Sequence, residues 1–335
     1  MQERSSSLEP AAPAAAVPAI GVGTWAWGNQ FLWGYQPERH DAELEATFQR
    51  AVAQGFRFFD TADSYGTGRF TGRSETLLGR FAAALPPGER EALCLATKLA
   101  PFPWRLGRGG FGRAFDASSE RLRGKLDRVQ LHWSTARYAP WQEGPLLDGL
   151  ADRVLAGAAT SLGVSNMGPQ RLRRVHRHLA ERGVRLASLQ VQISLLAPEA
   201  LAPGGVADCC RELGVELIAY SPLALGLLSD RHRAGESWPA GPRGVLYRRL
   251  WPRITPLLEA MRAVAHARGA QVAEVALNWC RAHGAMPIPG LRTPAQVDGA
   301  ASALAWQLSA AERHELDGLA LALPVRMPAN PFQSA

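Results

Sequence analysis

Four residues in this chain are of types that could do acid–base chemistry together: Asp60, Tyr65, Lys98 and His132. Lys98 is one of only two lysines among 37 lysines and arginines. Arginine keeps its proton at any working pH, whereas lysine is a compact point charge with a tunable pKa. A lysine retained in so arginine-rich a chain therefore points to a chemical role. A free tyrosine, with a pKa of about 10, is a poor proton donor at neutral pH. A nearby ammonium favours the phenolate, so Lys98 is expected to lower the pKa of Tyr65, while Asp60 keeps the lysine charged and aimed. His132 can orient a carbonyl oxygen. Such a set suits protonation of an oxygen as a hydride arrives at carbon. No side chain supplies a hydride, so the chemistry calls for a nicotinamide cofactor. Taken singly, Asp60 could cap a turn, Tyr65 could fill a loop and His132 could be a satisfied core histidine. Lys98 is harder to dismiss, because an unpaired lysine at a buried strand end is costly.

The elements that must position these residues follow from the pattern of apolar runs. Strands are predicted at Ile20–Thr24, Arg57–Asp60, Cys94–Lys98, Val129–His132, Ser161–Val164, Leu189–Gln192, Leu217–Tyr220 and Met286–Pro289. Amphipathic stretches lie between them, among them Ala42–Gln54, Ser74–Ala84, Gly112–Leu126, Pro169–Arg182, Val206–Leu213 and Val272–His283, with an outer helix at Ser309–Ala322. Alternating strands and helices imply parallel pairing through crossovers. Eight units imply an α/β chain closed as a single-domain (β/α)8 TIM barrel, with an open doubly wound sheet as the alternative. The expected boundaries are a flexible Ala/Pro-rich segment at 1–18, the barrel at 19–323 and a tail at 324–335. In such a barrel the active site lies at the carboxyl ends of the strands. Asp60, Lys98 and His132 end consecutive strands, and Tyr65 follows Asp60 in a turn, so the four can converge at one mouth.

Composition narrows the classes. The 335 residues are 47% hydrophobic, enough for a large core. The net charge of +7 comes from dispersed arginines. This reads as a solvated basic surface that suits small anions; no motif points to nucleic acid. Cys94, Cys209, Cys210 and Cys280 show no metal-ligand spacing, so reduced thiols in a cytoplasmic-type compartment and no metal are expected. Prolines at 10, 13 and 18 interrupt any signal-like apolar run. No stretch of about 18 apolar residues suggests a membrane span. Gly107–Gly112 satisfies G-x-G-x-x-G but lacks the strand, turn and helix context of a dinucleotide site.

The ordered motifs resemble the aldo-keto reductase superfamily from about residue 19 to the end. They are Gly21–Trp25, Asp60–Tyr65, Lys98, Gln130–Trp133, Gly163–Asn166, Ala219–Leu223 and Ile288–Gly290. Gly23–Asn29, Leu32–Gln36, Asp63–Arg69, Leu131–Ala136 and Asn330–Gln333 resemble more closely the plastid-type pyridoxal reductases. The resemblance implies NADPH-dependent reduction of an aldehyde, pyridoxal to pyridoxine in vitamin B6 metabolism, with Tyr65 as proton donor. It also implies cofactor contacts. Ser165, Asn166 and Gln190 would hold the nicotinamide carboxamide, and Tyr220 would stack on its ring. Ser221, Leu223, Gly226 and Arg231 would face the pyrophosphate, and Pro289, Gly290, Arg292 and Gln296 the adenosine 2′-phosphate. Relatives carry an asparagine near the adenine where this chain has Ala300, preceded by Gly299. Trp25 and Trp133 are expected to flank the substrate ring. The expected partner is a small aldehyde, with a monomer or weak homo-oligomer in the cytoplasm, or in the plastid stroma if the source is a photosynthetic eukaryote. Two other readings stay open: a broad aldehyde-detoxifying reductase and a non-catalytic NADPH-sensing subunit.

Overall fold

The computed structural model describes residues 20–229, 231–232 and 238–334. The 1–18 segment lies outside the described residues. Eight parallel strands run in sequence order: β1 (Val22–Gly23), β2 (Phe58–Asp60), β3 (Cys94–Leu99), β4 (Arg128–Leu131), β5 (Ser161–Ser165), β6 (Leu186–Gln192), β7 (Glu216–Tyr220) and β8 (Met286–Ile288). β8 returns towards β1 through Gly21 N to Pro287 O at 3.0 Å, Gly23 N to Pro289 O at 2.9 Å and a bridge from Gly23 to Gly290. A Cβ on Gly23 would sit 2.9 Å from the Ile288 oxygen, so this close approach requires glycine. The end strands are shorter than their apolar runs predict. Pro287 and Pro289 can accept but cannot donate, which limits the ladder at this seam.

The expected helices all form, most within a residue of their predicted limits, but the first begins five residues earlier than Ala42 and the third ends five residues before Leu126. They are Pro37–Ala53, Arg73–Ala83, Gly112–Arg121, Pro169–Glu181, Val206–Leu213, Val272–Ala282 and Ala310–Ala322. Further helices span Pro140–Leu155, Pro242–Arg268 and Pro294–Ser302. Pro242–Arg268 carries Pro252 and Pro256 internally, residues that read as breaks in sequence. It persists because Tyr247, Leu250, Trp251, Ile254, Leu257, Leu258 and Met261 all bury against the barrel, and packing overrides propensity.

The main core lies between strands and helices, as in sheets covered by a helical shell. A second cluster of Phe58, Ala96, Ile218, Met286 and Ile288 fills the barrel interior. That plug gives the polar residues at the strand ends a rigid floor. Among the described residues no helix is long and apolar enough to cross a membrane.

Candidate active site

The carboxyl ends of β2, β3 and β4 bring Asp60, Lys98 and His132 to one place. The loop after β2 turns Tyr65 back over them. Lys98 is fully buried and donates from Nζ to Asp60 Oδ2 at 2.5 Å and to the Thr61 carbonyl at 2.8 Å. Its Nζ lies 4.8 Å from the Tyr65 ring centroid. The Tyr65 and His132 rings meet edge to face at 5.9 Å. The other Asp60 oxygen accepts from Gln190 Nε2 at 2.8 Å and Gln130 Nε2 at 3.1 Å. Asp60 is therefore held by an ammonium and two amides, a satisfied buried charge.

The electrostatics differ from the sequence expectation in one respect. Lys98 does pull the Tyr65 pKa down, but burial outweighs it and holds the phenol above its usual value. Tyr65 is thus a neutral phenol at physiological pH. Burial first, then the Lys98 charge, pushes His132 well below the ordinary histidine range, so the imidazole is neutral. Lys98 is raised: burial would lower it, but the charge of Asp60, then that of Tyr65 when ionised, and hydrogen bonds to both together outweigh the burial.

These four residues form the floor of a cavity of about 950 Å3. Ser165, Asn166, Gln190 and Tyr220 line it next to them, then Ser221, Leu223, Gly226 and Arg231, and finally Pro289, Gly290, Arg292 and Gln296. Trp25 and Trp133 stand at the mouth. Asn166 Nδ2 donates to the His132 carbonyl at 3.0 Å, and Tyr220 OH donates to Asn166 Oδ1 at 2.8 Å. Gln190 spends its amide on Asp60, so its Nε2 faces the Asp60 carboxylate. Gln296 Oε1 accepts from the backbone of Arg292 at 2.8 Å, fixing the loop before the helix Pro294–Ser302. Five described non-glycine residues have positive φ, and Asn166, Ser221, Ala224 and Leu225 are four of them. Such strained backbone clusters where a site requires a particular shape.

The loop after β3 packs behind Trp133 without lining the cavity itself. Asp63, buried, accepts from Arg105 at 2.5 Å, and the Arg105 guanidinium lies 4.9 Å from the Phe102 ring. Phe102 in turn meets Trp133 edge-on at 6.0 Å. Trp104 is 72% exposed and stacks outside on Phe102; Trp27 is fully buried and donates to the Leu291 carbonyl. Neither lines the cavity. The glycines of Gly107–Gly112 do not line it either.

An Aldo/keto reductase family model matches residues 19–320. The chain belongs to that family. It is 45% identical over 326 residues to the chloroplastic pyridoxal reductase of Arabidopsis thaliana, covering 95% of this chain and 87% of that protein. An aldo-keto reductase from Klebsiella pneumoniae, solved in complex with NADPH, superposes with a TM-score of 0.69 at 27% identity, covering 95% of each chain. A thermostable aldo-keto reductase bound to the inhibitor epalrestat gives a TM-score of 0.71 at 24% identity over 90% of this chain and 95% of the other, a likeness of fold.

Within this aldo-keto reductase site, several contributors had no role assigned from the motifs. Gln130 sits two residues before His132 on β4, and residues two apart on a strand share a face, so both reach the barrel interior. Gly163 makes room for it, since a Cβ there would fall 3.0 Å from Gln130 Cγ. From the tail, Asn330 Nδ2 donates to Tyr220 OH at 2.8 Å and to Asn166 Oδ1 at 3.1 Å. Phe332 stacks on Trp133 at 4.3 Å. Asn330 was legible only as part of a family echo. Arg243, at the start of the helix Pro242–Arg268, also lines the cavity, and no sequence motif marked it.

Proposed function

We propose that this chain is an NADPH-dependent aldehyde reductase and that its substrate is pyridoxal, reduced to pyridoxine. The observation that carries the reductase reading is the convergence of a neutral Tyr65, a charged Lys98 paired to Asp60, and a neutral His132 on one cavity floor. The pyridoxal reading draws on the 45% identical relative and on the stacked Trp133 and Phe332 at the mouth, which suit a flat heteroaromatic ring.

The cavity fits the cofactor by its chemistry. Its far end gathers the guanidiniums of Arg231, Arg243 and Arg292. Arg292 is pushed below its usual pKa by burial and then by the charges of Arg231 and Arg243, so this end suits an anion such as a phosphate. Ser165, Asn166 and Tyr220 would hold the nicotinamide, the loop 221–226 and Arg231 the pyrophosphate, and Arg292 with Gln296 the 2′-phosphate. A reduced nicotinamide so held supplies the hydride. The chain's own residues do the rest. His132, with one N–H as a neutral imidazole, donates to the carbonyl oxygen and orients it. Tyr65 gives that oxygen its proton. Lys98 stabilises the phenolate that results, and Asp60 keeps Lys98 charged throughout.

The test follows the loss of NADPH absorbance with pyridoxal, with unrelated aliphatic aldehydes, and with Tyr65→Phe. Pyridoxal is expected to be preferred, and Tyr65→Phe to lose about 100-fold to 10,000-fold in turnover. Equal efficiency on all aldehydes would favour the detoxifying reading. An active Tyr65→Phe would overturn the proton-donor assignment.

A further inference from the structure

The far end of the cavity carries two groups that the family motifs do not explain. Trp33 ends a short helix, Gln30–Trp33, that follows β1. Asn29 caps that helix by accepting from Leu32 N at 2.9 Å, and Gly34 closes it in a left-handed conformation. Gln30 N is pinned to Thr67 Oγ1 at 3.0 Å. The segment is thereby fixed with the Trp33 ring against the opposite rim. The Arg243 guanidinium carbon lies 4.0 Å from the Trp33 ring centroid and that of Arg292 lies 4.9 Å away. Two cations over one ring attract it but repel each other.

The polar atoms matter more than the ring. Trp33 Nε1 and Arg243 Nε are both buried with no hydrogen-bond partner among the described residues. Buried donors are rarely left unmade, because each costs its full desolvation. Here two of them lie in neighbouring side chains that meet across the cavity, beside a second cation, Arg292. Arg243 spends its Nη2 on the Leu225 carbonyl at 2.8 Å, which fixes the guanidinium in place. Its pKa is lowered, chiefly by burial. Arg292 lies directly before the helix Pro294–Ser302, whose N-terminal amides add positive potential. Unmade N–H donors, guanidiniums and a helix N-terminus converging at one end of the cavity together call for an oxyanion with several acceptor oxygens.

We infer that Trp33 and Arg243 are specificity-determining residues that, with Arg292, bind the 2′-phosphomonoester of the cofactor. The assignment rests on the NADPH reading above. Trp33 contributes one N–H and Arg243 its Nε–H and charge. Because Trp33 comes from the segment after β1 and Arg243 from the helix before β8, the anion ties the two rims of the trough together. A dinucleotide lacking the 2′-phosphate leaves both donors unmade.

The experiment is equilibrium binding by calorimetry, without aldehyde, to wild type, Arg243→Gln and Trp33→Phe. The ligands are NADPH, NADH, 2′,5′-ADP and 5′-ADP. Arg243→Gln is expected to weaken NADPH and 2′,5′-ADP roughly tenfold or more while changing NADH and 5′-ADP less than about threefold. Trp33→Phe keeps an aromatic ring and loses the N–H, so it is expected to show the same selectivity with a smaller loss. If wild type prefers NADPH and both variants keep that preference, Trp33 and Arg243 have no part in reading the phosphate. If both ligand pairs weaken alike, the residues act on the pyrophosphate or on folding, and the assignment is overturned. Wild type with no preference for NADPH would instead remove the cofactor reading on which the inference stands.

Discussion

The two ends of the cavity are built in opposite ways. At the chemical end every charge has its partner, although the acceptor Gln130 Oε1 is unmade: Lys98 is bound by Asp60 and a carbonyl, and Asp60 by two glutamines as well. At the phosphate end, guanidiniums repel one another and two buried donors are unmade. The contrast reflects what each end must do. The chemical end meets a charge only as it develops in the transition state, so its groups must be in place beforehand and held by the protein. On the proposed reading the phosphate end would meet a permanent dianion, which could itself complete the hydrogen bonds. Preorganisation is thus concentrated where a ligand cannot induce it.

The largest test of that contrast makes the chemical end resemble the other. Lys98→Met leaves Asp60 as a buried carboxylate with only amide partners. Breaking a buried pair from one side typically costs about 3–5 kcal/mol. The urea midpoint is expected to fall accordingly. The double variant Lys98→Met with Asp60→Asn removes both charges and is expected to recover much of the loss, since the two residues are coupled. A single variant as stable as wild type would mean that Gln130 and Gln190 alone satisfy Asp60.

The two ends also differ in how far sequence reveals them. Asp60, Lys98 and His132 could be placed because each ends an apolar run, and a barrel sends all strand ends to one mouth. Their supports were harder to see. Gln130 lay inside a quoted motif, yet its role emerges only when the period of two puts it on the same face as His132. At the phosphate end Arg292 could be placed from its motif; Trp33 lay in a quoted motif that gave it no role, and Arg243 lay in none. Trp33 stands in a helix of four residues, too short for any periodicity. Arg243 begins a helix whose two internal prolines hide it. The expected drop in the Tyr65 pKa failed for a related reason: sequence shows the ammonium and not the burial.

A pH test probes the chemical end more gently. His132 is buried and neutral, with its pKa depressed by burial and by Lys98. In the unfolded chain a histidine takes up its proton below about pH 6.5. Below that pH the unfolded state binds a proton the folded state refuses, so stability falls as pH falls, with a limiting slope of about 1.4 kcal/mol per pH unit from this residue. Chemical denaturation between pH 7 and pH 5 is expected to show a shallower decline for His132→Gln than for wild type. Parallel declines would mean that His132 takes up its proton readily in the folded protein.

The smallest effect concerns the tail, which joins the chemical end late in the sequence. Asn330 donates to both Asn166 and Tyr220, and the Ser334 amide donates to the Asn166 carbonyl at 3.0 Å. Asn166 also keeps its own bonds to the His132 carbonyl and to Ser165. Asn330→Ala therefore loosens one corner of the proposed nicotinamide cradle without exposing a buried charge, and Tyr220 still satisfies Asn166 Oδ1. The cost of losing such a bond is about 0.5–1.5 kcal/mol, or roughly threefold to tenfold in affinity. Because the nicotinamide is common to both cofactors, NADPH and NADH are expected to weaken by the same factor in a binding titration. This is the opposite signature to Arg243→Gln. A loss confined to NADPH would show that the tail communicates with the phosphate end, and the two ends could no longer be treated as separately built.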